Sequence, residues 1–533
     1  MSRSDAIVVG SGPSAVHAAS ALVEEGCSVT MLDVGNEDSI YSSIIPDESF
    51  SRIRRTDPGQ HRYFLGDRLE AVPLGPQRVG AQLTAPRAYL TRDVATLTPA
   101  RTDGFAATES LALGGLAAGW GASAVRFDER DLRSFPITEQ ELAPHYERVA
   151  TEIGLSGAAD DLQRFYGKCA TLQPPLAADP SIVQLLETYR RKHEALNRRG
   201  FYAGHPRLAV LTRDLGDRRA QAYRDMDFYS DHGRSVYRPR YTLDALRRQQ
   251  QRFEYISPYL VQRFVERGGQ VEVHACHARD RTSRVFVASR LVLAAGALGS
   301  TRIVLRSMEA FDTPVPLLSN PHVYVPCVHL KRLGKAPASQ RHSLTQAGFF
   351  FDPDPESVGP VYGEMHVYGS LLLHKLVRES RLPVRQASRL VRAWVGALVI
   401  LVIEHEDSPV AGKECRLDRT GTLELSYRQD REAARHHADR EKQLLGCMRR
   451  LACLPVGRVD SGPGSSLHYG GTLPMTDEPR DLTVDHTCRL HGTRGVFLAD
   501  GATFPCLPAK PLTLTLMANA RRVAGYVAGT LGS

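Results

Sequence analysis

The run Ala6–Val9 is short and wholly apolar, the pattern of a strand buried on both faces of a parallel sheet. A glycine turn follows at Gly10 and Gly12, then an amphipathic stretch over 16–25. A second strand-like run, 26–32, ends at Asp33. The pattern predicts strand, turn, helix, strand and acid in that order. A second strand-to-turn-to-helix pattern comes at 290–302, where an apolar run ends in Ala295 and Gly296 and a helix opens at Ala297. Between these, 36–100 is rich in Pro, Gly and Arg with little periodicity and reads as a long excursion or lid. Residues 155–250 are polar and Arg-rich and read as part of a separate, substrate-side domain. The spacing predicts a helix over 253–267 and a strand over 270–274. Beyond 311 the pattern changes: 349–351, 364–368, 397–404 and 422–427 read as strands of a mostly antiparallel sheet. A helix over 431–451 then leads towards His468. The fold class expected is α/β, a Rossmann-like domain with an α+β domain built on an antiparallel sheet.

A basic amphipathic stretch covers 371–394, with Lys375, Arg378, Arg381, Arg385, Arg389 and Arg392 set against Leu and Val, and Pro383 breaks it into two helices. It reads first as a solvated face. The sharper alternative is a lip that meets an anionic substrate or, peripherally, a membrane surface. With 533 residues the chain exceeds one hydrophobic core, so two domains are expected. The net charge of +8 is dispersed and lacks the aromatic-interleaved basic stripe of a nucleic-acid groove, so it favours an anionic cofactor over DNA. The nine Cys are scattered without metal spacing, which suits free thiols in a reducing cytoplasm and no metal site. The start of the chain reads as a strand and not as a signal peptide. No apolar run approaches the roughly 20 residues that span a bilayer.

The first glycine turn has the chemistry of a dinucleotide site. Gly10 makes the turn, Gly12 admits a pyrophosphate against the backbone, and Ala15 permits close helix packing. The helix N-terminus faces the phosphate charge, and Asp33, about 20 residues on, accepts from a ribose hydroxyl. Pro13, Ser14 and Val34 flank these positions and join the candidate set. The loop alone does not separate FAD from NAD; its place at the head of the chain favours FAD, and an acid at 33 disfavours a 2′-phosphate. A second cluster, Gly114, Gly115, Trp120, Gly121 and Ala122, permits close backbone approach to a planar ligand, or is simply a glycine-rich turn. Ala278, Ala295 and Gly296 are further cofactor candidates.

These segments, together with His468, Gly470–Gly471, Asp500, Gly501, Lys510 and Pro511 near the other end, resemble the glucose-methanol-choline (GMC) oxidoreductases, FAD enzymes that oxidise alcohols. The glycine cluster is most similar to the pyranose-oxidase-like branch. The resemblance implies an FAD domain assembled from 1–150, 251–310 and 460–533. It also implies a substrate domain from 151–250 and 311–459 with a six-stranded antiparallel sheet over the flavin. Gly10, Gly12, Ala15 and Asp33 would hold the ADP half and Gly115 to Ala122 would line the flavin. Asp500 and Gly501 would meet the pyrophosphate and ribityl chain. Pro511 and Leu512 would set the last helix against the pyrimidine edge. The branch attaches FAD through a His just before the Trp; Gly119 stands there, so non-covalent FAD is expected.

His468 falls on the family's active-site histidine, a group suited to take the hydroxyl proton while hydride leaves the carbon. Lys510 departs from the Asn or His usual there. Charged, it would bind the substrate oxygen or stabilise reduced flavin; neutral, it would itself be the base; alternatively it points away and a neighbour fills the role. The expectation is an FAD-dependent dehydrogenase, rather than oxidase, acting on a sugar, cyclitol or natural-product hydroxyl with an unknown electron acceptor. The alternatives are a repurposed flavoenzyme using Lys510 and a non-catalytic flavin-binding protein.

Overall fold

The computed structural model describes the chain except for residues 1–3, 72–82, 250, 337, 339, 357–358, 368–381 and 532–533, and the side chains of 390–393. Its first large sheet draws strands from distant parts of the sequence. Ser4–Val9 pairs in parallel with Val29–Leu32 on one side and with the far half of Ser283–Leu293 on the other. Phe253–Ile256 extends the sheet beyond Val29–Leu32, and Val496–Leu498 adds to Ser283–Leu293, both in parallel. Buried on both faces, these strands carry no polar alternation, as their apolar runs predict. Helix Pro13–Glu24 starts with Pro at its first position, where a missing N–H costs nothing. It packs along helix Thr513–Gly529, which also contacts Glu139–Ile153. The first and last helices of the chain thus share one core with this sheet.

The stretch 253–267, expected as a helix, is two strands, Phe253–Ile256 and Tyr259–Arg267. A β-bulge between Val261 and Arg263 shifts the register against Gln270–His277. Val261 and Phe264 therefore both face the core at a spacing of three, which mimics a helical period.

The second large sheet is antiparallel, in the order Cys453–Pro455 with Val459–Asp460, His322–His329, Leu398–Glu404, Val361–Val367, Ala347–Phe351 and Phe201–Gly204. It has seven strands in six positions, because the first two share one edge of His322–His329. One face carries Val323, Val325, Leu401, Ile403, Met365 and Phe349 and is sealed by helices Pro180–Asn197 and Arg431–Arg450. The other face carries His322, Tyr324, Glu404, Tyr362 and Glu364, by the alternation of strand side chains.

Leu423–Tyr427 belongs to a separate four-stranded sheet with Ala100–Asp103, Lys413–Leu417 and Val315–Pro316. Its apolar residues Leu423 and Leu425 pack with Leu298 and Leu305 of the helix at 297–307, which draws it away from the larger sheet. Segment 151–250 contributes Phe201–Gly204 to the large sheet, while its helix Pro239–Arg247 packs on Pro13–Glu24. Pro383 caps a helix over Val384–Trp394, and 371–381 of the basic stretch lies outside the described residues. Among the described residues no helix is long and apolar enough to cross a membrane.

Candidate active site

A cavity of about 1270 Å³ runs between the two ends of the chain. Gly10, Gly12, Pro13, Ser14, Asp33 and Val34 line it from the first turn. Gly10 has φ +99° and a Cβ there would lie 2.6 Å from the Ala294 carbonyl oxygen, so only glycine fits the crossing of the two βα turns. Gly12 is different. A Cβ on it would meet no protein atom within 4 Å, and it opens the helix whose first N–H groups have no intrahelical partner. Ala15 is fully buried in the packing behind this loop and does not line the cavity.

Asp33 is buried and accepts hydrogen bonds from Ser11 Oγ at 2.5 Å and from the Tyr255 hydroxyl at 3.0 Å. Burial pushes its carboxyl up to about 6, although both donors pull the other way. Ser11 also accepts from the Gly114 N–H at 2.9 Å, tying the two glycine clusters together. Gly115, Trp120 and Gly121 line the cavity, while Gly114 and Ala122 stand behind it. Trp120 is anchored by its indole N–H on the Tyr237 carbonyl, 2.8 Å away. Ala295 and Gly296 line the cavity from the second turn, and Asp500, Gly501 and Leu512 from the C-terminal segment. The Asp500 carboxylate accepts from Ser300 Oγ at 2.5 Å and from the Ala502 N–H at 3.0 Å, which fastens the C-terminal segment to the second βα helix.

Besides Ala15, Gly114 and Ala122, three more expected positions do not line the cavity. Ala278 does not line the cavity; its N–H donates to the Pro258 carbonyl, and Tyr259, Leu260, Val261 and Gln262 of strand Tyr259–Arg267 line it instead. Pro511 is also absent from the lining, since the last helix begins two residues later at Thr513, which does line it. Lys510 is fully buried away from the cavity, with its ammonium 2.8 Å from Asp128 and 2.5 Å from Asp131 and a further bond to the Phe165 carbonyl. Burial opposes its charge, but the two carboxylates more than offset that and raise its proton affinity. It has no lone pair to offer a substrate.

His468 does line the cavity. It follows Leu467, whose φ of +61° is unusual for a branched residue and turns the chain sharply before the imidazole. The adjoining strand Tyr469–Gly470 pairs with Leu318–Ser319, and the Asn320 N–H donates to the His468 carbonyl at 3.0 Å. Gly470 is required there, because a Cβ would lie 2.2 Å from the Gly501 carbonyl oxygen. The imidazole Nδ1 is 3.4 Å from a carboxylate oxygen of Glu404, on the polar face of the large sheet. Burial lowers the proton affinity of His468, but Glu404 and then Glu364 outweigh it and the net shift is upward.

Glu364 is tightly held. Its oxygens accept from Ser123, the Tyr362 hydroxyl, Thr345 and His366. Burial would raise its carboxyl, yet these donors keep it down at about 2. Sequence reasoning missed Glu404, Glu364, His322 and Ser11. The alternation of polar His322 and Tyr324 with Val323 and Val325, and of Glu364 and His366 with Met365, is the signal that marks one face of that sheet. Arg87, from the 36–100 excursion, also lines the cavity and donates to the Gly119 carbonyl at 3.1 Å. Arg281, Arg302 and Arg306 line it too, alongside the carboxylates Asp33, Glu70, Glu109 and Asp500, and Arg302 pairs with Glu109.

A family model described as GMC oxidoreductase matches residues 455–520, the stretch that carries His468, Asp500 and Gly501. Comparison with curated protein sequences returns no match. Among solved structures, the chain is similar to a crystal structure of pyridoxine 4-oxidase from Mesorbium loti. The two share 14% identity and a TM-score of 0.58, and the match covers 98% of each chain. At that identity the likeness establishes the fold alone. The C-terminal segment thus matches the GMC oxidoreductase model, a family that generally binds FAD, and the whole chain has the fold of the pyridoxine 4-oxidase structure.

Proposed function

We propose that the chain is an FAD-dependent oxidoreductase acting on the CH–OH group of a polar alcohol, a sugar, cyclitol or natural-product hydroxyl. His468 serves as the proton acceptor and Glu404 as the residue that positions it. The observation that carries this reading is that His468, 3.4 Å from Glu404, opens on the same cavity as the N-terminal glycine turn.

The residues present fit FAD. The cavity exceeds the roughly 300–1,000 Å³ of an ordinary small-ligand pocket. Gly12 offers bare backbone at a helix N-terminus for a pyrophosphate, and Asp33 offers a carboxylate for a ribose. Trp120, Gly121 and the N-terminus of the last helix, at Thr513, would bound the ring system. Gly119 has no side chain from which to tether a flavin, which supports non-covalent binding. When bound, FAD supplies the two-electron acceptor for the hydrogen on the alcohol carbon.

The protein's own part is the proton. Glu404 beside Nδ1 favours the tautomer with the proton on that nitrogen, which leaves Nε2 free to accept from a substrate hydroxyl. As the proton arrives, the Glu404 carboxylate stabilises the imidazolium without moving. Lys510, paired with two aspartates, takes no part in this step. We extend the reading to a dehydrogenase with an acceptor other than oxygen.

The test is anaerobic mixing of the flavin-loaded protein with sugars, cyclitols and simple alcohols. Bleaching of the flavin by at least one polar alcohol is expected, with slow recovery when air is admitted. Rapid recovery makes the protein an oxidase. No bleaching by any alcohol, with flavin bound, favours the non-catalytic alternative.

A further inference from the structure

Among the described residues, three stretches of backbone meet at one end of the large antiparallel sheet. Val328 pairs with Leu398 on one side and Leu454 on the other. The chain leaving His322–His329, the chain entering Leu398–Glu404 and the strand Cys453–Pro455 therefore lie side by side there. The Leu330 N–H donates to the Ala452 carbonyl at 2.9 Å, and a Cβ on Gly396 would collide with the Lys335 carbonyl. Each stretch carries large apolar side chains that stand exposed: Leu330 and Leu333, Val384 and Trp394, Leu454 and Val456. Val384 is 70% exposed and Val456 59%. Apolar residues exposed singly are ordinary on a surface, whereas a group of them on adjoining stretches marks an interface.

The same end is basic. The stretches 330–335, 382–389 and 449–457 carry Lys331, Arg332, Lys335, Arg385, Arg389, Arg449 and Arg450 and no Asp or Glu. Beyond them, Glu441 and Asp460 are taken up by Arg458. Glu404, beside His468, is at the other end of its strand, about 20 Å from Leu398 along an extended chain, so this surface is no lip of the active site.

We propose that this end of the sheet docks on an anionic lipid bilayer. The exposed apolar side chains insert shallowly and the cations around them meet the headgroups. The inference is independent of the alcohol-oxidation reading. Lys and Arg suit it because their apolar stems follow the inserted residues while their charged ends stay at the headgroups, and Trp favours that same level. The anionic leaflet supplies the negative charge that the protein does not. A second copy of the chain fits less well, because a two-fold interface sets this patch, with its cations, against itself.

The test is flotation of the flavin-loaded protein with vesicles of phosphatidylcholine alone or with about 30% phosphatidylglycerol. The protein is expected to float with the anionic vesicles, to stay behind with the neutral ones, and to be released as salt is raised to about 0.5 M. Arg385→Glu with Arg389→Glu is expected to weaken binding about tenfold or more, and Arg385→Lys with Arg389→Lys to retain it. The chain has two Trp, and the other, Trp120, lines the cavity. Brominated phosphatidylglycerol is therefore expected to quench Trp394 on docking, and Trp394→Phe to lose that quenching. Flavin content and circular dichroism check that each variant is folded. No flotation with anionic vesicles, equal flotation with both kinds, undiminished binding in the charge-reversed variant, or bound protein without quenching overturns the proposal. A dimer in analytical ultracentrifugation that dissociates in Val384→Ser with Val456→Ser, without vesicle binding, overturns it in favour of a second copy.

Discussion

The ammonium of Lys510 lies 2.5 Å from a carboxylate oxygen of Asp131, both buried, in an ion cluster completed by the partly exposed Asp128. A residue expected in the chemistry is instead a tie between the C-terminal segment and the chain just beyond the second glycine cluster. Lys510→Met leaves buried Asp131 and partly exposed Asp128 without their cation and is expected to cost about 3–5 kcal/mol of stability. Urea denaturation checks this, and Lys510→Met combined with Asp131→Asn should recover part of the loss. A folded Lys510→Met that keeps wild-type stability contradicts the structural role.

Glu404 holds the proton affinity of His468 above its ordinary value. The base works when neutral, so flavin reduction falls as pH drops through that raised value. Glu404→Gln removes the charge and should move the acid limb to lower pH while slowing reduction on the order of 10²-fold. The same pair bears on stability. Its contribution is complete below the unfolded imidazole value of about 6.5 and fades as pH rises through the higher folded value. An acid limb that stays in place in Glu404→Gln contradicts the pairing.

Gly10 is a position where no side chain fits, because of φ +99° and the Ala294 carbonyl 2.6 Å from any Cβ. Gly10→Ala is expected to lose more than about 1 kcal/mol. Separation of the first two βα turns should also strip the flavin, seen as loss of the flavin absorbance that copurifies with protein. Retained flavin and stability contradict the close crossing.

Gly119→His puts an imidazole where the pyranose-oxidase-like branch, which the glycine cluster resembles, tethers FAD. The Leu90 methyl, 2.6 Å from the new Cβ, can turn aside, so the variant is expected to fold and to bind FAD without creating a covalent link. Acid precipitation followed by absorbance of the pellet checks this, and flavin retained in the pellet contradicts it.

The sequence makes the nucleotide side of the fold legible because its signals are local. A strand of four apolar residues, a glycine with positive φ and a helix opened by Pro13 need no knowledge of partners. Tyr259–Arg267 was not legible, since the bulge between Val261 and Arg263 breaks the period of two that marks a strand. The motif singles out His468 locally, whereas nothing local singles out Glu404. It lies 64 positions away in sequence, at the end of an apolar run, and only cross-strand pairing brings it to the imidazole. Lys510 misled for the complementary reason: the motif fixes its place in the chain, while Asp128 and Asp131 fix where its ammonium goes.

The central claim, that His468 is the group that takes the alcohol's proton, is tested most directly by single-turnover anaerobic reduction of His468→Gln, using the alcohol that bleaches the wild type fastest. Reduction slowed by about 10²–10⁴-fold with FAD still bound is the predicted result. Reduction at the wild-type rate with FAD bound contradicts the account.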